Sequence, residues 1–312
     1  MLLGKIVYER WSAMSEQPRA DIIEVGPRDG LQNESTLLSA ATKVDFVERL
    51  IAAGARRIEA VSFVHPRRVP QMADAEEVMR SVPRGGGVSY SGLVLNRRGF
   101  ERAVEAGVDE VNVAVVATDT FSKRNQGTTT EEGVRLWSGI ASLAHEAGIR
   151  ATVTIAVAFG CPFEGVVSAD HVQELVRRVS EAGPAEIALA DTVGVGVPTQ
   201  VTELVRRARE VTDASLRFHF HNTRNTGYAN AAAALNSGVY TLDSSCGGIG
   251  GCPFAPAATG NIATEDLAYL LTGTGVGTGL DPEATARTGT WIGTHLGKEV
   301  PALLGRAGNF PA

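Results

Sequence analysis

The sequence predicts a single (β/α)₈ barrel, a closed ring of parallel strands wrapped by helices. The chain has 312 residues, 44% of them hydrophobic, enough for one large buried core and close to the size at which such barrels form one unit. From Asp21 onward, short β-branched runs alternate with longer helical patterns at roughly 30-residue spacing, the pattern of crossover helices joining parallel strands. Eight strand segments emerge, enough to close a ring, whereas an open doubly wound sheet accepts the same alternation but usually carries fewer strands.

The first strand is expected at 21–25 and runs into Gly26-Pro-Arg-Asp-Gly30. Ser39 then suits the N-cap of a helix in which Val44, Val47 and Ile51 recur at helical spacing, and Gly54 supplies a left-handed stop. Strands follow at 57–62, 88–94 and 110–116. Thr130 with Glu131 and Glu132 opens a helix ending at Gly148, which leads to a strand at 151–158. Ser168 with Asp170 opens the next, ending near Gly183 and leading to a strand at 186–190. The last two strands are expected at 216–221 and 239–244, and residues 281–304 predict one or two helices packed outside the barrel. No linker rich in Pro, Gly or Ser divides these units, so 21–312 reads as one catalytic domain with a C-terminal helical extension. Residues 1–20 differ in texture and include a second methionine, Met14; they read as a flexible N-terminal arm.

A formal net charge of −6 lacks the basic excess that nucleic acid or an anionic membrane surface demands, so neither is an expected partner. No apolar run approaches the roughly 20 residues that span a bilayer, and the opening segment lacks a signal-peptide core; a cytoplasmic, homo-oligomeric protein is expected. Cys161, Cys246 and Cys252 form an odd set without CxxC zinc spacing, which favours reduced thiols.

A barrel's chemistry sits at the C-terminal ends of its strands, and polar residues interrupt the apolar runs there. Strand one runs into Arg28-Asp29, strand two carries Glu59 and Ser62, strand three precedes Asn96, and strand six ends in Asp191-Thr192. Strand seven carries His219 and His221, two apart and therefore on one face, able to bring two imidazoles to one cation. The alternative is a pair of interior histidines satisfied by hydrogen bonds. Asp29, on the first strand, lies near strand seven in a closed ring and is a candidate third ligand. Asn261 is an amide candidate, with a helix N-cap as its plainer reading. Two imidazoles, a carboxylate and an amide oxygen suit a hard ion such as Mg²⁺ or Mn²⁺ better than a thiolate zinc site does. The loop Cys246-Gly-Gly-Ile-Gly-Gly-Cys252-Pro reads as a hinge or lid and lacks the Gly-Lys-Ser/Thr ending of a P-loop. Alone, Cys252 reads as a small buried residue. Asn96, Arg97, Arg98, Lys123 and Arg124 follow strands three and four, where they are candidates for meeting the phosphates of a cofactor or form a solvated basic surface.

Several segments resemble the 3-hydroxy-3-methylglutaryl-CoA lyase family: Glu24-Val-Gly-Pro-Arg-Asp-Gly-Leu-Gln-Asn-Glu34, Ile58-Glu-Ala-Val-Ser-Phe63 with Val69-Pro-Gln-Met-Ala-Asp74, Gly160-Cys-Pro-Phe-Glu-Gly165, Ala190-Asp-Thr-Val-Gly-Val-Gly196, His219-Phe-His-Asn-Thr223, and 247–261. They occur in the family's order and span roughly residues 20–305. The resemblance implies a place among metal-dependent lyases, aldolases and Claisen-type synthases, an acyl-CoA thioester substrate, and one divalent cation held by Asp29, His219, His221 and Asn261. It further implies functional roles for Arg28, Glu59, Asp191 and Cys252: Arg28 against charge on the thioester oxygen, His219 or Asp29 as proton acceptor, Cys252 as proton donor, and Glu59 and Asp191 in positioning. The plainer reading of Glu59 and Asp191 is salt-bridge structure at the barrel mouth. Departures from the better-known lyases occur at Asn222-Thr-Arg224, where they tend to have Asp-Thr-Tyr, and at His65, where they more often have serine; these permit a longer 3-substituted glutaryl-CoA. The rivals are a superfamily aldolase or synthase using a 2-oxo acid and a silent barrel that binds metal or acyl-CoA as a scaffold.

Overall fold

The computed structural model describes residues 18–251 and 260–310. Its barrel strands are β1 (Asp21–Glu24), β2 (Arg57–Ser62), β3 (Ser89–Val94), β4 (Glu110–Val116), β5 (Arg150–Ala156), β6 (Glu186–Asp191), β7 (Ser215–Phe220) and β8 (Thr241–Ser244). Each pairs in parallel with its successor, and β1 pairs with β8, which closes the ring. The crossovers carry α1 (Ala40–Ala52), α2 (Ala75–Ser81), α3 (Arg97–Glu105), α4 (Asp119–Asn125), α5 (Thr130–Ala147), α6 (Ala169–Ser180), α7 (Pro198–Arg209) and α8 (Gly227–Asn236). Then come α9 (Thr264–Gly273), α10 (Pro282–Leu296) and the short α11 (Leu304–Ala307). Among the described residues no helix is long and apolar enough to cross a membrane.

Local chemistry explains where these elements start and stop. Ser39 caps α1 by accepting the Thr42 N–H at 3.1 Å, and α1 buries Phe46, Val47 and Leu50. Gly54 is left-handed (φ 104°), and a Cβ there would sit 2.2 Å from the Gly279 carbonyl oxygen, so turn geometry and close approach both require glycine. The cap of α5 is Thr129, one residue before the expected Thr130, because Glu132 then falls at the third helical position and completes a reciprocal capping box. Strand β5 stops at Ala156, short of the expected 158, where Val157 turns to φ 53°, a conformation that a β-branched residue rarely adopts. A small hairpin, Gly160–Cys161 against Gly165–Val166, follows; it is too short to leave a periodic signal in the sequence. At the other end of the chain, Ala20 donates to Gly277 and Gly277 to Pro18, both at 2.9 Å, so the described chain is fastened to the fold before β1 begins.

Inside the ring, residues at the starts of the strands form a charged floor. Arg57 lies 3.2 Å from Glu110 and 3.1 Å from Glu186. Arg150 donates to Glu110 at 2.8 Å, and Arg217 Nη1 stands 3.4 Å from Glu186. Glu110, Glu186 and Arg217 are buried, and such groups persist in an interior only when paired. The mouth at the opposite end is where the site forms.

Candidate metal centre and acyl-CoA site

Barrel closure sets β1 beside β8 and β8 beside β7, with Asp243 of β8 in register with His219. Strand alternation turns His219 and His221 to the same interior face. Their rings lie 5.1 Å apart. Just after β1, the turn Gly26–Gly30 carries Arg28 and Asp29 over the mouth. One ligand atom from each of Asp29, His219 and His221 falls within 4.8 Å of the others.

The donor set fits a hard divalent ion. Burial and the neighbouring His219 push His221 down to about 3, so its imidazole is neutral and has a lone pair to give. Its Nδ1 is buried without a hydrogen-bond partner, the condition expected of an atom awaiting a ligand. Burial raises Asp29, but Arg28, both histidines and the Asn261 hydrogen bond outweigh it and hold the carboxyl well below the usual range. Burial lowers His219, yet its hydrogen bond to Asp243 and the charges of Asp29 and Asp243 lift it above its ordinary value. Asn261 donates through Nδ2 to Asp29 at 2.9 Å and to the Ile249 carbonyl at 3.1 Å, which leaves its carbonyl oxygen outside those two bonds. It does not cap α9; Ala263 holds that position.

Arg28 is braced from two sides. Its Nε donates to Glu59 at 2.6 Å and its Nη1 to Asp29 at 2.7 Å. Glu59 in turn accepts from Asn112 at 3.1 Å, and Asn112 accepts from Thr154 at 3.0 Å. This chain of polar contacts crosses β2, β4 and β5 and fixes the guanidinium beside the metal-ligand set. A cavity of about 660 Å³ opens above it, lined by Arg28, Asp29, His219 and His221 together with small or apolar residues such as Ala114, Ala156 and Leu136.

The other expected positions separate. Asp191 is buried, and its two carboxylate oxygens accept the Val195 and Gly196 N–H groups at 2.9 Å each. Burial raises its pKa against those two bonds; it shapes the loop after β6 and makes no hydrogen bond to Arg28. Asn96 lines the cavity but uses its side chain to cap α3, accepting the Gly99 N–H at 2.8 Å. Arg97 pairs with Glu101 at 2.9 Å and Lys123 with Asp119 at 3.2 Å, both on exposed helix faces. Arg124 lies over the Phe163 ring at 4.1 Å, and Arg98 is exposed. None of these four cations lines the cavity. Cys252 falls outside the described residues.

The base of the glycine-rich loop is pinned by hydrogen bonds at Cys246 and Gly247. Cys246 N–H donates to Glu24 at 2.9 Å, and Gly247 N–H donates to both oxygens of Glu265 at 3.1 and 3.0 Å. A Cβ on Gly250 would lie 2.7 Å from Asn261 Nδ2 and 3.0 Å from Gly30, so glycine there lets the backbone press onto the ligand set. Asp243, Asn112, Thr154, Glu24 and Glu265 were not singled out from the sequence. For Asp243 a signal existed: it is the charged residue of the expected strand 239–244.

Comparison with known proteins agrees with this architecture. The family model described as HMGL-like matches residues 19–292. A hydroxymethylglutaryl-CoA lyase of Pseudomonas mevalonii is 47% identical over 277 residues, covering 88% of this chain and 92% of that protein. An (R)-citramalyl-CoA lyase of Chloroflexus aurantiacus is 45% identical over 298 residues, covering 92% of this chain and 94% of its own. The structure of an HMG-CoA lyase from Acinetobacter baumannii in complex with coenzyme A and 3-methylmalate superposes with a TM-score of 0.89 at 37% identity, covering 94% and 96% of the two chains. On its sequence, its closed barrel and these likenesses, the chain belongs to the HMGL-like family.

Proposed function

We propose that this chain is a divalent-cation-dependent carbon–carbon lyase that cleaves 3-hydroxy-3-methylglutaryl-CoA to acetyl-CoA and acetoacetate. The observation that carries the proposal is the meeting of Asp29, His219 and His221 within 4.8 Å of one another, beside an Arg28 braced by Glu59 and Asp29. Mg²⁺ or Mn²⁺, once bound, would polarise the substrate's C3 hydroxyl and lower its pKa. Asp29, His219 and His221 would hold the ion, with the Asn261 amide oxygen as a fourth donor.

Cleavage then requires loss of the hydroxyl proton, formation of the C3 carbonyl and departure of the acyl-CoA enolate. Asp29, a carboxylate with lone pairs beyond the one given to the ion, accepts that proton, whereas His219 has a single lone pair and gives it to the ion. Arg28 faces the negative charge that grows on the thioester oxygen, and because Glu59 and Asp29 already fix its guanidinium, little reorganisation is needed as the charge appears. Glu59 positions Arg28. Cys252 returns a proton to the enolate carbon. The cavity of about 660 Å³ leaves room for the acyl group beside these residues.

A second substrate is favoured by one specific finding: the (R)-citramalyl-CoA lyase relative is nearly as similar, 45% against 47%. Both acyl groups carry a hydroxyl and a methyl on C3 and a free carboxylate, and both release acetyl-CoA; citramalyl-CoA would leave pyruvate in place of acetoacetate. Purified enzyme with Mg²⁺ is therefore to be given each thioester separately and the products identified by mass spectrometry. Acetoacetate from the first substrate supports the principal reading and pyruvate alone supports the second. Turnover only with added 2-oxo acid would overturn both in favour of a synthase or aldolase.

A further inference from the structure

Asp243 takes no part in the reaction described above, yet it stands against His219. Its Oδ2 lies 3.2 Å from His219 Nδ1. The other ring nitrogen, Nε2, faces Asp29 Oδ2 at 3.9 Å, beyond hydrogen-bond length. One ring is thus bracketed by two carboxylates, one in contact and one across a gap. An ion about 2.1 Å from each of two donors spans a gap of up to about 4.2 Å. His221 has no such bracket, since its Nδ1 is buried without a partner.

Behind Asp243 stands Arg217, with Nε 3.4 Å from Asp243 Oδ1, an ion-pair contact in which neither atom makes a hydrogen bond, and Nη1 3.4 Å from Glu186. Both Asp243 and Arg217 are buried. A lone buried carboxylate would take up a proton, but a guanidinium beside it favours the anion. Asp243 is thereby held as a hydrogen-bond acceptor only.

We propose that Asp243 is the positioning residue of His219, accepting the Nδ1 proton and so committing Nε2 as the lone-pair nitrogen aimed at Asp29, with Arg217 holding Asp243 in place; this rests on reading Asp29, His219 and His221 as cation ligands. A neutral imidazole carries one N–H and one lone pair. The opposite tautomer would set two acceptors, bare Nδ1 and the Asp243 oxygen, against each other at 3.2 Å and would push an N–H into the gap. A carboxylate behind a ligating histidine also raises its basicity, and removing such a partner weakens metal affinity by roughly 10–100-fold.

Two measurements test the assignment. Metal-free protein and its Asp243→Asn variant are titrated with Mn²⁺ by electron paramagnetic resonance, with circular dichroism to establish that each is folded. A Kd weakened by about 10–100-fold in D243N is expected. The second measurement needs no substitution: ¹⁵N-histidine NMR of the Mg²⁺-loaded protein, where His219 is expected to carry its proton on Nδ1. A wild-type Mn²⁺ affinity in folded D243N, or a His219 proton on Nε2, overturns the assignment. If unmutated protein and the His221→Ala variant take up Mn²⁺ identically, the ligand reading beneath it falls instead.

Discussion

The two ends of the barrel use the same residue types in opposite ways. At the floor, Arg57, Arg150 and Arg217 meet Glu110 and Glu186, and the charges close on one another. At the mouth, Arg28 and Glu59 are paired, but Asp29 faces His219 across 3.9 Å and His221 keeps a buried nitrogen without a partner. Arginines, carboxylates and burial are common to both ends; at the mouth the unpartnered atom is an imidazole nitrogen with a lone pair to give, whereas at the floor it is Arg217 Nε, which has none. That difference separates a structural ion network from a site able to take up a cation, and counting charged residues would have missed it.

The comparison predicts that mouth variants lose turnover and floor variants lose stability. The largest effect belongs to Arg28→Ala, which should lower kcat by roughly 10²–10³-fold, the range for removing a group that stabilises developing charge. Steady-state kinetics beside a thermal melt would show whether the loss is catalytic; wild-type turnover would remove Arg28 from the reaction. Exhaustive chelation should abolish activity, with Mg²⁺ or Mn²⁺ restoring it, and His221→Ala should need far more metal for the same rescue. At the floor, Glu186→Gln leaves Arg57 and Arg217 short of an anion. Breaking a buried pair in this way typically costs about 3–5 kcal/mol, which urea unfolding would report. If E186Q instead lost activity at full stability, the division between the two ends would collapse.

The smallest effect concerns the pinned base of the glycine-rich loop after β8. Burial pushes Glu265 up to about 8 and Glu24 up to about 7, against the N–H groups that donate to them. A carboxyl whose folded pKa exceeds its unfolded value binds protons more tightly in the native state. Its contribution is therefore present below about 4.5 and fades as pH rises through about 8. Melts between pH 5 and 9 should show wild-type stability declining over this window more steeply than that of Glu265→Gln. Parallel curves would show that Glu265 does not titrate there.

Much of this was legible before any coordinates. The strands fell within two residues of their expected limits because β-branched runs bounded by caps and glycines leave a strong periodic trace. His219 and His221 were legible because a spacing of two on a strand fixes their shared face, and the first strand's neighbours in a closed ring brought Asp29 to them. Asp243 was passed over because its strand has only four residues, too few for alternation to mark an inward charge. Asn112 and Thr154 look like ordinary polar strand residues until the pairing of β4 with β5 sets Thr154 two residues beyond Thr152, the register partner of Asn112, and 3.0 Å from the Asn112 side chain. Asp191, expected in positioning, accepts the Val195 and Gly196 N–H groups through its two oxygens, a turn contact that its place at a strand end does not announce.

The central claim is that one cation sits among Asp29, His219 and His221, and anomalous diffraction from Mn²⁺-loaded crystals tests it most directly. The account predicts a peak about 2.0–2.4 Å from a carboxylate oxygen of Asp29 and from one ring nitrogen of each histidine. A fully active crystal form with its Mn²⁺ peak elsewhere would contradict it.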